Sequence, residues 1–307
     1  MPDVAASDGT TVAFGALNLQ SGMAAAAVSD SCSDPATVQQ LDEMKVVLKE
    51  EGLLDTLSKH QGKESLANLL ARFLRARKGN VPAAVKLLRE DLKWRDDEDI
   101  LGLRYSSASQ VLRGQENPAG KALHDAQVPS GLLGHDKMGR PVMFIEVGGK
   151  FNANKLESEG ELVHSHLQRF QWWLSERVFD TVGQEGQVLW IVDVSGWHLS
   201  QMSSKKNVKY MMAIAEVASA HYPERMARTV IINAPRVFSA AWRMVRPMLD
   251  ITTQNKIDIL SGQDKWLPKL AEHIDIALLP EHLGGKTVLC FDPHSLDPQL
   301  FPKASKP

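Results

Sequence analysis

The chain has 307 residues, 43% hydrophobic and 23% charged, proportions of an ordinary folded protein and not of a fibrous or wholly disordered one. With 35 Lys and Arg against 37 Asp and Glu the formal charge is −2, so no global basic field draws the chain to nucleic acid. Its two cysteines, Cys32 and Cys290, lie near opposite ends and support neither a disulfide framework nor a Cys-based zinc site.

Residues 1–36 are rich in Ala, Ser, Gly and Asp, bury too little apolar surface to offset the cost of ordering, and read as a flexible tail. The first Lys or Arg is Lys45, which predicts neither a secretory signal nor a transit peptide. No stretch approaches the roughly 20 apolar residues that span a bilayer, and the expected location is cytoplasmic.

Residues 37–113 read as an all-helical lobe. Leu66, Leu69, Leu70, Phe73 and Leu74 draw one apolar stripe with a 3.6-residue period. This helix should end near Lys78-Gly79. Asn80 is placed to cap the next one, with Pro82 in its first turn and Val85, Leu88 and Leu92 along one side. Arg72, Arg75, Arg77 and Lys78 crowd the end of the first helix, where positive charge gains from the dipole, and they read equally as a solvated terminus or as an anion patch.

Residues 114–287 read as an α/β domain, because short runs of β-formers alternate with longer helical periods. Strands are expected at 141–147, 188–194, 229–233 and 256–260, with crossover helices at 161–179 and 203–220. Residues 188–192 are nearly all apolar, as a strand buried on both faces of a parallel sheet requires. Pro293, Pro298, Pro302 and Pro307 make 288–307 an irregular tail.

Among catalytic signatures, the sequence contains no G-x-S-x-G, Walker loop, G-x-G-x-x-G or C-x-x-C, which argues against an enzyme and against a cofactor. His164 and His166 stand two apart, about 200° around a helix, and cannot share a metal ion there. Asp193 at a strand end reads as a turn residue that satisfies its own backbone. In segment 236–249, Val237, Ala241, Met244, Val245 and Met248 form a stripe that Phe238 and Trp242 widen, while Arg236, Arg243 and Arg246 hold the polar side. That pattern suits a helix at a membrane interface and a core helix equally.

The run Leu70-Ala71-Arg72-Phe73-Leu74-Arg75-Ala76-Arg77-Lys78, Trp94-Arg95, and Asp136-Lys137-Met138-Gly139-Arg140-Pro141-Val142 resembles the CRAL-TRIO family of lipid-binding proteins. Asp193-Val194-Ser195-Gly196, Tyr222-Pro223-Glu224-Arg225-Met226, Ile231-Ile232-Asn233-Ala234-Pro235 and Leu279-Pro280-Glu281-His282-Leu283-Gly284-Gly285 continue the resemblance in order, over about residues 40–287. It is nearest to the phosphatidylinositol transfer proteins of the secretory pathway. The resemblance implies a helical lobe packed on an α/β domain whose mainly parallel sheet floors an apolar lipid cavity, closed by a gate helix. Residues 236–249 fall on that helix, which makes Val237, Phe238, Ala241, Trp242, Val245 and Met248 its membrane contacts.

Carried over residue by residue, the site for the inositol phosphate becomes Arg77, Lys78, Glu224, Thr253 and Lys256. Such a set is chemically sensible, since a phosphate leaving water needs cations and donors while inositol hydroxyls need an acceptor. Members that also carry phosphatidylcholine have tyrosines ahead of and within the first strand. Here Leu132 and Leu133, near the turn, and Met143 stand instead, which argues against phosphatidylcholine and leaves the second lipid open. The implied protein is a monomer, peripheral on membranes through a transient membrane surface, with no nucleic acid partner and a phosphoinositide kinase as a candidate partner. A carrier of a prenyl or sterol-like molecule and a lipid-sensing module without fast transfer are the alternatives.

Overall fold

A stripe of leucines on one short helix organises the N-terminal half. The computed structural model describes residues 35–62, 64–106, 110–111, 117–180, 186–198, 200–201, 204–207, 209–210, 220–246 and 254–288; both expected tails lie almost wholly outside them. Five helices come first: α1 (Pro35–Glu50), α2 (Leu54–His60), α3 (Leu66–Arg75), α4 (Val81–Asp97) and α5 (Ile100–Tyr105). On α3, Leu69, Leu70, Phe73 and Leu74 are buried against Met44 and Leu48 of α1 and Val85, Leu88 and Leu92 of α4. The chain turns between α3 and α4 through left-handed Lys78 and Gly79 (φ 53° and 79°), and Asn80 then caps α4 by accepting from the Ala83 amide at 2.9 Å.

The second half contains α6 (Pro118–Gln127), β1 (Ser130–His135), β2 (Pro141–Glu146), α7 (Ala153–Gly160), α8 (His164–Phe179), β3 (Val188–Asp193), β4 (Met226–Ile232), α9 (Arg236–Val245), β5 (Ile257–Ile259) and α10 (Gln263–His273). They build a five-stranded sheet in the order β1-β2-β3-β4-β5, antiparallel only between β1 and β2. The expected mixed, mainly parallel α/β architecture behind a helical lobe is what the structure has.

Two readings need correction. β1, absent from the expected strands, carries Leu132 and Leu133 ahead of the turn into β2; Gly131 and Gly134 dilute its β character, and the pairing with β2 shifts between Leu132 and Gly134. β4 starts at Met226, three residues before the expected 229, because Arg228 takes its place opposite Leu189 through backbone pairing that side-chain propensity does not report. The crossover expected at 203–220 lies largely outside the described residues.

The two faces of the sheet differ. On one, Leu133, Val142, Phe144, Leu189, Ile191, Val230 and Ile232 are buried under Trp266, Leu270 and Ile274. On the other, the β2 side packs Met143 into a large core with Phe170 and Trp173 of α8. Towards β4 and β5 the same face is only half-buried.

Charged groups join the lobe to this domain. Arg72 is buried and not a solvated helix end, contrary to the local reading of its cluster. Its guanidinium grips Glu64 through two hydrogen bonds of 2.8 Å and donates to the Pro223 carbonyl at 2.8 Å, while Arg225 also reaches Glu64 at 2.8 Å. Beside it, Glu176 of α8 accepts from Arg95 at 2.9 Å, from Tyr222 at 2.9 Å and from Arg104. Asp91 completes the group by accepting from Arg95 at 2.9 Å and facing His221 at 3.0 Å. Burial alone would raise the Glu176 carboxyl, but Arg95 and Arg104 outweigh it and hold the group well below the usual carboxylate range.

Glu176→Gln should therefore leave two buried cations short of an anion and cost about 3 kcal/mol or more, measured by denaturant unfolding. Because the folded-state value is depressed, the Glu176 contribution is present above the unfolded carboxylate value of about 4.3 and is lost as pH falls below it. The variant should accordingly lose less stability than the parent between about pH 5 and pH 3.

Candidate ligand-binding site

Half-buried apolar side chains on a parallel sheet mark a surface that the protein's own packing does not fill. In register across the sheet stand Ile145, Val192, Ile231 and Ile259, and beside them Met143, Trp190, Thr229 and Ile257. Met143 is fully buried, whereas Trp190, Val192, Thr229, Ile231, Ile257 and Ile259 are half-buried. This strip forms the floor of the candidate site.

Helix α9 adjoins it. Val237 and Phe238, like Val192, Ile231 and Ile259, pack against the buried cluster of Val194, Trp197 and Ala234, and the Phe238 ring meets Trp197 edge-on at 5.2 Å. Trp242 is half-buried, and Arg236, Arg243 and Arg246 are exposed, so the expected division into apolar and cationic sides holds for these residues. Ala241 and Val245 lie on the helix, their side chains outside the described set, and Met248 falls outside the described residues altogether.

At the start of the strands sits a buried ion pair. Glu224, with a left-handed backbone (φ 59°), accepts from the Lys256 ammonium at 3.3 Å. The Lys256 carbonyl in turn accepts from Thr229 N at 2.8 Å, which fixes the pair at the N-terminal ends of β4 and β5. The Glu224 side chain is 2% exposed and that of Lys256 21%, so the ammonium is the member open to a ligand.

Of the other residues assigned to the inositol phosphate, Arg77 is half-buried and Lys78 exposed, both in the turn between α3 and α4. Arg77 donates to the Ala76 carbonyl at 3.0 Å, and burial lowers its pKa. Among the described residues no hydrogen bond or ion pair joins Arg77 or Lys78 to Glu224 or Lys256. Arg72, which holds α3 on Pro223, supplies the link between that turn and Glu224. Thr253 falls outside the described residues. The structure thus brings two of the five together.

The histidines and Asp193 have local tasks. His166 Nδ1 accepts from the Val163 amide at 3.3 Å at the start of α8. Asp193 accepts from the Ser195 amide at 2.8 Å and hydroxyl at 2.6 Å, as the turn reading expects. Sequence reasoning overlooked its third partner, Asn233 at 3.1 Å, because the two lie 40 residues apart.

Comparison with known proteins identifies the class. The CRAL/TRIO domain matches residues 126–285, just over half of the chain, and the CRAL/TRIO N-terminal domain matches residues 40–90. The chain belongs to the CRAL/TRIO family, whose members are generally lipid carriers and not enzymes. A CRAL-TRIO domain-containing protein of Saccharomyces cerevisiae is 30% identical over 72% of this chain and 71% of its own length. A phosphatidylinositol/phosphatidylcholine transfer protein of Arabidopsis thaliana is 30% identical over 71% of this chain and 39% of its own. The chain spans only 40% of the length of Protein real-time from Aedes aegypti, to which it is 28% identical over 86% of its own residues. The crystal structure of Sfh5 shares the fold, with a TM-score of 0.55 and 14% identity over 77% of this chain and 84% of that one.

Lys256→Met should expose the cost of burying Glu224 without a cation, about 1–3 kcal/mol. Adding Glu224→Gln should recover part of that loss. A coupling of at least about 0.5 kcal/mol in the double-mutant cycle, read by thermal or denaturant unfolding, verifies the pair.

Proposed function

We propose that this chain binds phosphatidylinositol and transfers it between membranes or presents it there, without a catalytic step and without a cofactor. The single observation that carries the reading is a half-buried apolar sheet face with a lysine, already charge-balanced by a buried glutamate, at the margin of that face. The family membership and the name of the Arabidopsis relative support it.

The physical task explains the parts. Exposing acyl chains to water costs about 0.8 kcal/mol per CH₂, so carrying two chains unprotected would cost about 20 kcal/mol or more. An apolar chamber lowers that penalty, and the strip from Trp190 to Ile259 supplies apolar wall. At its polar end Lys256, with Arg77, Lys78 and Thr253, pairs the phosphate, and Glu224 accepts from inositol hydroxyls. Binding then exchanges the Lys256–Glu224 contact for contacts to the head group.

In this reading α9 is the gate. Its apolar side rests on the sheet face in water, and at a bilayer Phe238 and Trp242 enter the interface while Arg236, Arg243 and Arg246 meet anionic lipid phosphates. The protein works from the cytoplasm as a peripheral visitor; among the described residues no helix is long and apolar enough to cross a membrane. A phosphoinositide kinase would be a consumer of the presented lipid. Phosphatidylcholine is left out of the proposal, because buried Leu132 and Met143 offer no hydroxyl to its head group.

Lipid extraction followed by mass spectrometry should find phosphatidylinositol copurifying with the protein, and a prenyl or sterol-like molecule in its place would reject the assignment. The double variant Lys256→Met with Glu224→Gln should keep the fold while phosphatidylinositol transfer between vesicles falls by about tenfold or more. Trp242→Asp should slow transfer with little change in melting temperature. A loss of many degrees would assign Trp242 to the core instead.

A further inference from the structure

A polar cluster lies at the C-terminal ends of β3 and β4, at the opposite end of the strands from the Glu224–Lys256 pair. Asn233, the residue after β4, is left-handed (φ 54°), a conformation that an asparagine tolerates better than most residues. Its carboxamide spans two elements. Nδ2 donates to Asp193 Oδ1 at the end of β3 at 3.1 Å, and Oδ1 accepts from the indole N–H of Trp266 on α10 at 2.9 Å. An indole N–H only donates and a carboxylate only accepts, so each end of the amide has one possible partner. Asp193 and Trp266 are both 2% exposed and Asn233 is half-buried, so solvent competes for these bonds only from the Asn233 side.

The backbone continues the anchoring for one residue and then stops. Ala234 N donates to the Leu260 carbonyl at 3.1 Å, just beyond β5. From Pro235, which has no amide hydrogen, the bonds turn inward: Phe238 N and Ser239 N both donate to the Pro235 carbonyl, at 2.9 and 3.1 Å. On its N-terminal side α9 therefore has its last backbone hydrogen bond to the sheet immediately before Pro235.

We infer that Asn233 is a positioning residue that anchors the root of α9 to β3 and α10, and that displacement of the helix hinges at Ala234–Pro235. The inference deepens the gate reading and rests on it for its functional meaning, but the anchor is a property of the protein in water. Trp266 lies on the closed face of the sheet, so the carboxamide ties the root of α9 to the buried core under α10. Loss of the side chain should loosen α9 without loosening the sheet.

Amide hydrogen exchange on the full chain, followed by mass spectrometry without vesicles, tests this. Asn233→Gly keeps the left-handed backbone and deletes the carboxamide; Asn233→Asp keeps an acceptor for Trp266 and sets a carboxylate against Asp193. In both, exchange in α9 should rise about tenfold while β4 and α10 stay as in the parent, the effect of losing hydrogen bonds local to the helix root. Unchanged α9 exchange in either variant, or equal acceleration in α9, β4 and α10, would overturn the anchor. A separate arm adds vesicles of phosphatidylcholine and phosphatidylserine to the parent protein. Failure of vesicles to change α9 exchange would reject the gate while leaving the solution result to judge the anchor alone.

Discussion

Everything at the head of the sheet depends on the burial of Glu176 and Glu64 among four arginines. A carboxylate taken out of water costs several kcal/mol unless cations and donors replace the lost hydration. Arg95, Arg104 and Tyr222 replace it for Glu176, and Arg72 and Arg225 for Glu64. Those groups come from α3, α4 and α5 on one side and from α8 and the segment before β4 on the other, so satisfying the charges fixes the lobe on the α/β domain. The segment Tyr222–Arg225 is held at three successive points: the Tyr222 hydroxyl by Glu176, the Pro223 carbonyl by Arg72, and the Arg225 guanidinium by Glu64 and the Gly186 carbonyl. Glu224 is the one residue of the four that this network of arginines and buried carboxylates does not hold. Its left-handed backbone accompanies a side chain directed away from these partners and onto Lys256. The charge network that stabilises the fold therefore also orients the residue proposed to receive a head group.

How much of this a reader of the sequence recovers depends on the range of the interaction. The α3 stripe and the Asn80 cap are local, and both are found where periodicity and capping chemistry put them. β1 is not, because its two glycines and shifted pairing erase the alternation that would announce a strand. Arg72 is misread for a related reason. A cation near a helix end looks solvated until Pro223, 151 residues away, and Glu64 are known to surround it. Nothing local distinguishes it from Lys78, which is exposed. Glu224 and Lys256 were reached through resemblance alone, and the structure gives them a physical relation that their spacing of 32 residues does not imply.

The sheet has to do two incompatible things, and it divides them between its faces. Under α10 the side chains from Val142 to Ile232 are closed, with Trp266 and Leu270 fully covered, and that face contributes the stable burial that a domain of this size requires. Among the described residues, the opposite face is closed only on the β2 side, where α8 lies. Towards β4 and β5 it keeps Ile231, Ile257 and Ile259 half-buried, next to a helix that carries Phe238 inward and exposes Arg236, Arg243 and Arg246.

Such a helix contributes to stability in proportion to the apolar area it covers, so a helix proposed to leave the sheet has to cover little. Ten helical residues with a few inward apolar side chains meet that condition, since each buried aliphatic or aromatic group is worth about 1.5–3 kcal/mol and a bilayer interface returns part of it. A longer or wholly apolar helix would close the face permanently. A more polar one would neither seal the chamber in water nor enter the interface. On the gate reading, the same reasoning accounts for polar anchoring at the end of β4: hydrogen bonds from α9 to the sheet would have to break at each opening, whereas those of Asn233 join β3 and α10 and need not break.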